Sequence, residues 1–490
     1  MKQIFRTLLI VAIVSFVACN KLTDPTKMYQ IEKDGLYGFI DVDGNVVVEP
    51  QYICTSYRFN KSSEMAVVVL DTVTKSSSGL FGILQIDTFF VRYNYIKTNG
   101  EKAFKHDFED CIPLSKDEIC NAKYMLSKFC NEHLFVKGLA VVADTNTWRK
   151  GYMNKHGKIV IPCIYTEATT FSDSTAAVRK RINGSNNWGI IDMEGHEICD
   201  FIYSDISIIK ENRAFAYIIY SSMKYGTDTL DGEFVKDENG KTRIDRSKHT
   251  LINRQESGDP EYGSAYYLID GRGNIIKQLS IGHFGKMFND GIAVMTPNFL
   301  GEFLGFRYQF IDKNGNFLTG ISEEDLDSVA NNLSEKEINN ILFGIEEGDD
   351  DYNGFPEALP FSEGYSGVRI NDQAWVFIDK NLLGWGHDGE PYEYCGLFCF
   401  GLAPVKINGK WGYVDTTLTI AIPCQYDFCF PATGKDLCKV YTSKSDDIKI
   451  VSYIRRDGSI VWQNKIISSI SNQNKKPQPL SEWAKRKLKR

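Results

Sequence analysis

No metal-binding His-Glu-x-x-His, no Gly-x-Ser-x-Gly elbow, no phosphate-binding loop and no Gly-x-Gly-x-x-Gly fingerprint occurs in the 490 residues. His106, His133, His156, His196, His249, His283 and His387 are scattered rather than set at metal-ligand spacing. The chain therefore presents no linear catalytic apparatus and implies no cofactor. Positive charge is also lacking: a net charge of -7 and a pI near 5.7 argue against binding bulk nucleic acid or a bare anionic membrane. Twelve cysteines are present, but none falls into paired Cys-x-x-Cys spacing, so no disulfide framework is readable. Cys395 with Cys399, or Cys424 with Cys429, are candidate pairs for a bridge in an oxidising compartment.

A membrane-spanning run is missing as well. Leu8 to Ala18 is apolar apart from Ser15, which is shorter than the roughly 20 residues a transmembrane helix needs. With Lys2 and Arg6 before it and small Ala18 directly before Cys19, the stretch reads as a secretion signal over residues 1–18. Phe16-Val17-Ala18-Cys19 resembles a bacterial lipobox, with Phe16 where Leu is usual. That resemblance implies lipidation of Cys19, a tether over 19–30 and a chain held at a membrane of the bacterial cell envelope, facing the periplasm or the exterior.

What the chain has in abundance is self-similarity. An aromatic-Gly strand ending in Ile-Asp recurs as Tyr37-Gly38-Phe39-Ile40-Asp41, Trp188-Gly189-Ile190-Ile191-Asp192 and Trp411-Gly412-Tyr413-Val414-Asp415. Looser copies start at Lys150, Tyr266, Tyr308 and Trp375, and a worn one at Ser452. Gly follows the Asp or Asn three residues later at Gly44, Gly157, Gly195, Gly273 and Gly315, which is hairpin chemistry. Leu382 and Leu418 replace that Gly, so turns of a different kind are expected there. A β-branched run follows and then Pro50, Pro162 or Pro423, expected to end the strand because proline donates no ladder hydrogen bond. Tyr52, Tyr165 and Tyr203 lie at fixed spacing beyond, and Phe-x-x-Gly followed by small apolar residues signals a further strand before each hairpin, as at Phe135, Phe288, Phe361 and Phe398. The period is 36 to 38 residues, enough for three or four strands.

These units resemble the WG repeats of bacterial proteins, best over Phe398 to Tyr426 and next over Phe135 to Asp205. The resemblance spans roughly 31–70 and 135–462, and implies an all-β chain. The expected fold is a tandem array over 31–465 of three- to four-stranded antiparallel units, propeller-like and closed or open, with a β-solenoid as the alternative and minor helical insertions. The aromatic before Gly is expected to pack between neighbouring sheets.

Three stretches break the rhythm, at about 87–132, 221–263 and 321–354. The first carries a capping box at Ser115 and Glu118 ahead of a helix whose Ile119, Ala122, Leu126, Phe129 and Cys130 share a face. The third contains Asp349-x-Asp351-x-Asn353-Gly354, the opening of a calcium loop, but position twelve is Pro360 instead of Glu, so the expectation is a solvated acidic loop. A basic tail over 466–490, ending in Lys485 to Arg490 with Trp483, reads as a frayed solvated terminus. The functional expectation is a non-enzymatic envelope module that binds or scaffolds a protein or glycan. The alternative is a glycan-active hydrolase whose carboxylates come from separate loops.

Overall fold

A computed structural model describes residues 24–78, 85–114, 122–182, 185–221, 233–236, 242–245, 262–279, 283–285, 287–297, 308–318, 356–371, 374–387, 390–445, 448–467 and 481–489. The signal region with Cys19, the capping box at 115–118 and the acidic motif at Asp349, Asp351 and Asn353 lie outside them. The chain is nearly all β, with nine sheets among the described residues, mostly antiparallel and of three or four strands. Among the described residues the helices are a 3₁₀ turn at Pro25–Lys27, α1 at Ala122–Glu132 and α2 at Glu482–Lys489. Eight of the nine described sheets are up-and-down arrangements in chain order, the construction of a propeller blade, and the ninth adds the pair Glu233–Lys236 and Thr242–Asp245 to Glu197–Tyr203 through one parallel pairing.

Two compact units divide the chain, one formed by 1–163 with 426–490 and the other by 164–425. In the first unit, the sheet of Tyr29–Lys33, Leu36–Ile40 and Val46–Tyr52 packs on the last sheet of the chain, Phe428–Cys429 through Ile460–Ile467. Tyr29, Ile31 and Ile40 meet Leu437 and Tyr453 there, and the Tyr453 hydroxyl donates to the Gln30 carbonyl at 2.6 Å.

At several junctions one sheet follows another with a single intervening residue. Val46–Tyr52 ends at Tyr52 and the next sheet begins at Cys54–Thr55; Tyr165 is followed by Glu167–Ala168, and Tyr203 by Asp205–Ile206. The regularly spaced tyrosines therefore stand at sheet-to-sheet junctions, where all three are buried.

The recurrent Asp makes the turn expected of it. Asp41 Oδ1 accepts from the N–H groups of Asp43 and Asn45, each at 2.9 Å, while Gly44 N–H donates to the Asp41 carbonyl. The same pattern recurs at Asn154, Asp192, Asp270 and Asp312. It also recurs at Asp379 and Asp415, so the expectation of different turns there is overturned. Leu382 and Leu418 enter the left-handed region at φ 62 and 63 and close the same turn. Their side chains pack on the neighbouring apolar clusters, which helps offset the backbone cost.

Proline does not end its strand: Val46–Tyr52, Ile159–Tyr165 and Ile420–Tyr426 run through Pro50, Pro162 and Pro423. The reason is a bulge. Tyr37 pairs with Tyr52 and Phe39 with Val48, so Gly38 alone faces the three residues Glu49, Pro50 and Gln51. A residue lifted out of the ladder needs no donor, which makes the place suited to proline. The bulge also explains the glycine of the aromatic-Gly pair: a Cβ on Gly151 or Gly412 would stand 2.5 Å from the carbonyl oxygen of Ile161 or Ile422. Gly412→Ala is expected to lower stability by about 1 to 3 kcal/mol. Chemical denaturation checks it, with Gly409→Ala as a comparison in which added volume meets nothing and only the backbone at φ 75 is strained.

The strand expected after the Phe-x-x-Gly signal is present at Leu139–Ala143, Ile292–Pro297, Ser366–Asn371 and Leu402–Ile407, and the signal itself is the tight turn that leads into it. Asp290 and Gly291 have φ 53 and 86, and Glu363 and Gly364 have φ 53 and 94, as a two-residue turn with both centres left-handed requires. In four successive copies the residue ahead of the turn glycine, or its equivalent, is acidic and reaches the same turn of the next copy. Asp173 accepts from Asn212 N–H at 2.7 Å, Glu211 from Gly291 at 2.9 Å, Asp290 from Gly364 at 2.7 Å and Glu363 from Gly401 at 2.7 Å. Phe400 occupies this position in the next copy, so no acid continues the line. The line of charge-assisted bonds fixes sheet to sheet along the second unit. Aromatic packing adds to it: Tyr394 lies 4.8 Å from Trp375 and 5.2 Å from Trp411, so it joins the aromatic positions of two consecutive copies as expected.

Candidate functional site

The singular chemistry of the first unit gathers where the repeat is broken. Its second sheet has two strands far longer than the rest, Met65–Ser78 and Gln85–Lys97, the latter paired with Phe108–Leu114. Strand alternation divides Gln85–Lys97 between two faces. Phe89, Val91, Tyr93 and Tyr95 enter a core with Leu126, Phe129 and Cys130 of α1, so the helical face read from the sequence is the buried one where it is described. Phe90 and Arg92 turn the other way, toward α2.

At the end of α1 a buried polar cluster joins three parts of the chain. His133 Nε2 lies 3.1 Å from Asp110 Oδ2, and Nδ1 lies 2.9 Å from the Phe129 carbonyl oxygen. Lys150 Nζ bonds the other Asp110 oxygen. Asp110 is 1% and His133 6% exposed, and Phe129 stacks on the imidazole at 3.9 Å between centroids. Burial pushes the Asp110 carboxyl upward, but the His133 hydrogen bond and the Lys150 charge outweigh it and hold the group below the usual carboxylate range. Asp110 is therefore ionised at neutral pH. Both partners of the His133 ring, a carbonyl and a carboxylate, are acceptors, so the imidazole is held within the cluster by groups of the chain itself.

Lys150 occupies the position that Trp188 and Trp411 hold in their copies, the residue before the glycine. Its replacement of an aromatic by a cation, matched to an acid on the strand Phe108–Leu114, was the signal in the sequence for this cluster. His133 had been counted only among the scattered histidines. Cys111, beside Asp110, has its thiol pushed up to about 11, by burial first and the Asp110 charge second.

Asp192, Glu194 and His196 bring three possible ligand atoms within 4.8 Å of one another. The grouping is explained by the turn. His196 Nδ1 lies 3.0 Å from Asp192 Oδ2, as the side-chain nitrogen of Asn45 lies 2.9 Å from Asp41 Oδ2 and that of Asn316 lies 3.0 Å from Asp312 Oδ2. His196 thus takes the place of a turn asparagine, and the cluster has no buried polar group aimed at an ion.

The expectation of a frayed C-terminus is overturned by α2. Trp483 is 5% exposed, and its indole N–H donates to Glu109 at 2.7 Å. Lys487 Nζ lies 2.5 Å from the other Glu109 oxygen and 4.7 Å from the Trp148 ring centroid. Among the ten described cysteines no disulfide is formed, Cys395, Cys399, Cys424 and Cys429 included.

Fold and site together define a tandem-sheet β protein in which recurrent polar residues hold backbone and the buried Asp110 cluster is internally paired. Within that class, the chain carries the WG containing repeat, matched at residues 37–52, 151–181, 188–218 and 411–440. No curated protein matches the chain. Among solved structures, it is similar to a eukaryotic initiation factor at 7% identity and TM-score 0.45, covering 90% of this chain and 95% of that one. AztD from Citrobacter koseri is similar at 10% identity and TM-score 0.31, covering 89% and 93% of the two chains. TolB from Acinetobacter baumannii is similar at 10% identity and TM-score 0.23, covering 82% and 80%.

Proposed function

We propose that this WG-repeat chain is a lipid-anchored protein of the bacterial cell envelope, attached through Cys19, whose array binds a partner protein and carries out no chemistry of its own. The observation that carries the reading is a repeated exposed apolar residue at the start of outer strands. Val46, Ile159 and Ile460 are 41%, 51% and 59% exposed at the same distance beyond their turns, and Leu383 is 58% exposed just after its own. Each begins or adjoins the last strand of its sheet. Edge strands are ordinarily protected by charge. Apolar side chains beside open backbone donors and acceptors suit an extended segment of another protein, added as a further strand.

The test uses the purified chain against envelope extract. A partner should be retained by the parent chain and lost from Val46→Lys/Ile159→Lys/Ile460→Lys, while a panel of glycan and peptide substrates shows no turnover. Retention by the triple variant, or clear turnover, would remove the proposal. Labelling with a palmitate analogue, present in the parent and absent in Cys19→Ala, tests the anchor separately.

A further inference from the structure

We infer that Cys54 and Cys130 form a dithiol–disulfide couple that, when oxidised, staples α1 to the second sheet. Cys54 lies on the short strand Cys54–Thr55 that opens this sheet, and Cys130 lies in the last turn of α1. Both enter the same apolar core, at 3% and 0% exposure. Within that core the two thiols perturb each other, and Cys54 Sγ lies 3.7 Å from the Thr55 carbonyl oxygen. Two thiols that share one core from a strand and a helix far apart in sequence are candidates for a bridge. By contrast, Cys163 faces the Val142 carbonyl at 3.8 Å and Cys424 the Val405 carbonyl at 4.0 Å.

The surroundings distinguish the two sulfurs. The hydrogen bond from Cys130 lowers the Cys54 thiol against the opposing effect of burial, with the Thr55 backbone and the Lys123 charge assisting. Lys123 is held over the Tyr37 ring at 5.4 Å and bonds Glu32 at 2.9 and 3.0 Å. Burial pushes Cys130 the other way. Cys54 is therefore the sulfur that reacts first.

The oxidant is a small-molecule or protein disulfide. The Cys54 thiolate attacks one of its sulfurs, forming a mixed disulfide and releasing one thiolate, which takes up the proton Cys54 gave up. Cys130, after loss of its own proton, attacks the Cys54 sulfur and expels the second thiolate, which is protonated in turn. The protein has lost two electrons and two protons, and the oxidant has become two thiols. Because both sulfurs are covered, reaction waits for α1 to lift or takes place during folding. Closure fixes the helix that places Phe129 and His133 against Asp110.

The full chain is equilibrated with oxidised and reduced glutathione, both folded and during refolding from urea, then acid-quenched, alkylated and digested. A Cys54–Cys130 cross-linked peptide is expected, with a melting temperature at least about 5 °C above that of the dithiothreitol-reduced chain. Cys54→Ser and Cys130→Ser should each abolish both the cross-link and the shift. Recovery of the two cysteines as separate alkylated or glutathionylated residues in both arms, or bonded to other cysteines, would overturn the inference. Peptide mapping of the unsubstituted chain gives this answer even if a serine variant does not fold.

Discussion

Asp110→Asn is expected to destabilise the first unit by about 3 to 5 kcal/mol, because removing the anion leaves the Lys150 cation without its counter-charge in a buried site and weakens the hold on His133. In the native chain the Asp110 carboxylate lies between the His133 ring and the Lys150 ammonium, with its side chain 2% exposed. Asparagine keeps the shape, but it offers one accepting oxygen where two are used and supplies no charge. Urea denaturation measures the loss. Lys150→Met, which puts an apolar side chain where other copies carry an aromatic, should lose less, and Asp110→Asn/Lys150→Met should be more stable than the sum of the single effects implies. Strict additivity would mean that the two groups are not coupled.

The same carboxyl leaves a signature in pH. Its folded pKa is held below the unfolded value. Its contribution is therefore fully present above the unfolded pKa of about 3.9, and is lost as the pH falls from there through the folded value. The parent chain should lose stability along this acid limb, and Asp110→Asn should lack that component. Equal slopes for the two chains below about pH 4 would contradict the assignment.

What was legible in the sequence was what a copy does within itself. The Asp41 turn, the Gly that closes it and the strands on either side depend on residues within a few positions, so spacing revealed them. The bulge was half legible: Pro50 was seen as a residue without a donor, but its consequence depends on Gly38 across the hairpin. The two belong together, since Gly38 is the residue the lifted backbone crosses. Leu382 and Leu418 misled because the lack of glycine is only a local penalty, and a hydrogen-bonded turn packed on an apolar cluster can bear it.

Bonds between copies were not legible. Asp173, Glu211, Asp290 and Glu363 stand at one motif position, but nothing in linear spacing says that each side chain reaches backbone in the following copy. Asp110, His133 and Lys150 were hidden for a related reason. They come from a strand, a helix end and a worn aromatic-Gly position, and only the fold of the long second sheet makes them neighbours. Lys150 was the visible trace, a cation where an aromatic belongs.

The C-terminal helix supplies the second large effect. Trp483→Ala is expected to release α2 from the second sheet, at a cost of about 3 kcal/mol for the lost buried indole. Trp483 packs with Val73, stands 5.6 Å beneath the Arg92 guanidinium and donates to Glu109. Ser481 caps the start of the helix, accepting from Ala484 N–H at 3.1 Å and donating to Asp71. Since α2 is only eight residues long, its loss should be local. Amide exchange in α2 should accelerate roughly 100-fold and protease should trim the terminus, while exchange in the Asp110 core stays slow. Glu109→Gln should do less, because the indole keeps an acceptor and Lys487 keeps its place over Trp148. Salt should hardly release the helix, since the Lys487 side chain is only 13% exposed and the contact is therefore poorly screened. A Trp483→Ala chain whose C-terminus remained protected would mean that the Lys487 contacts, and not the buried indole, hold the helix down.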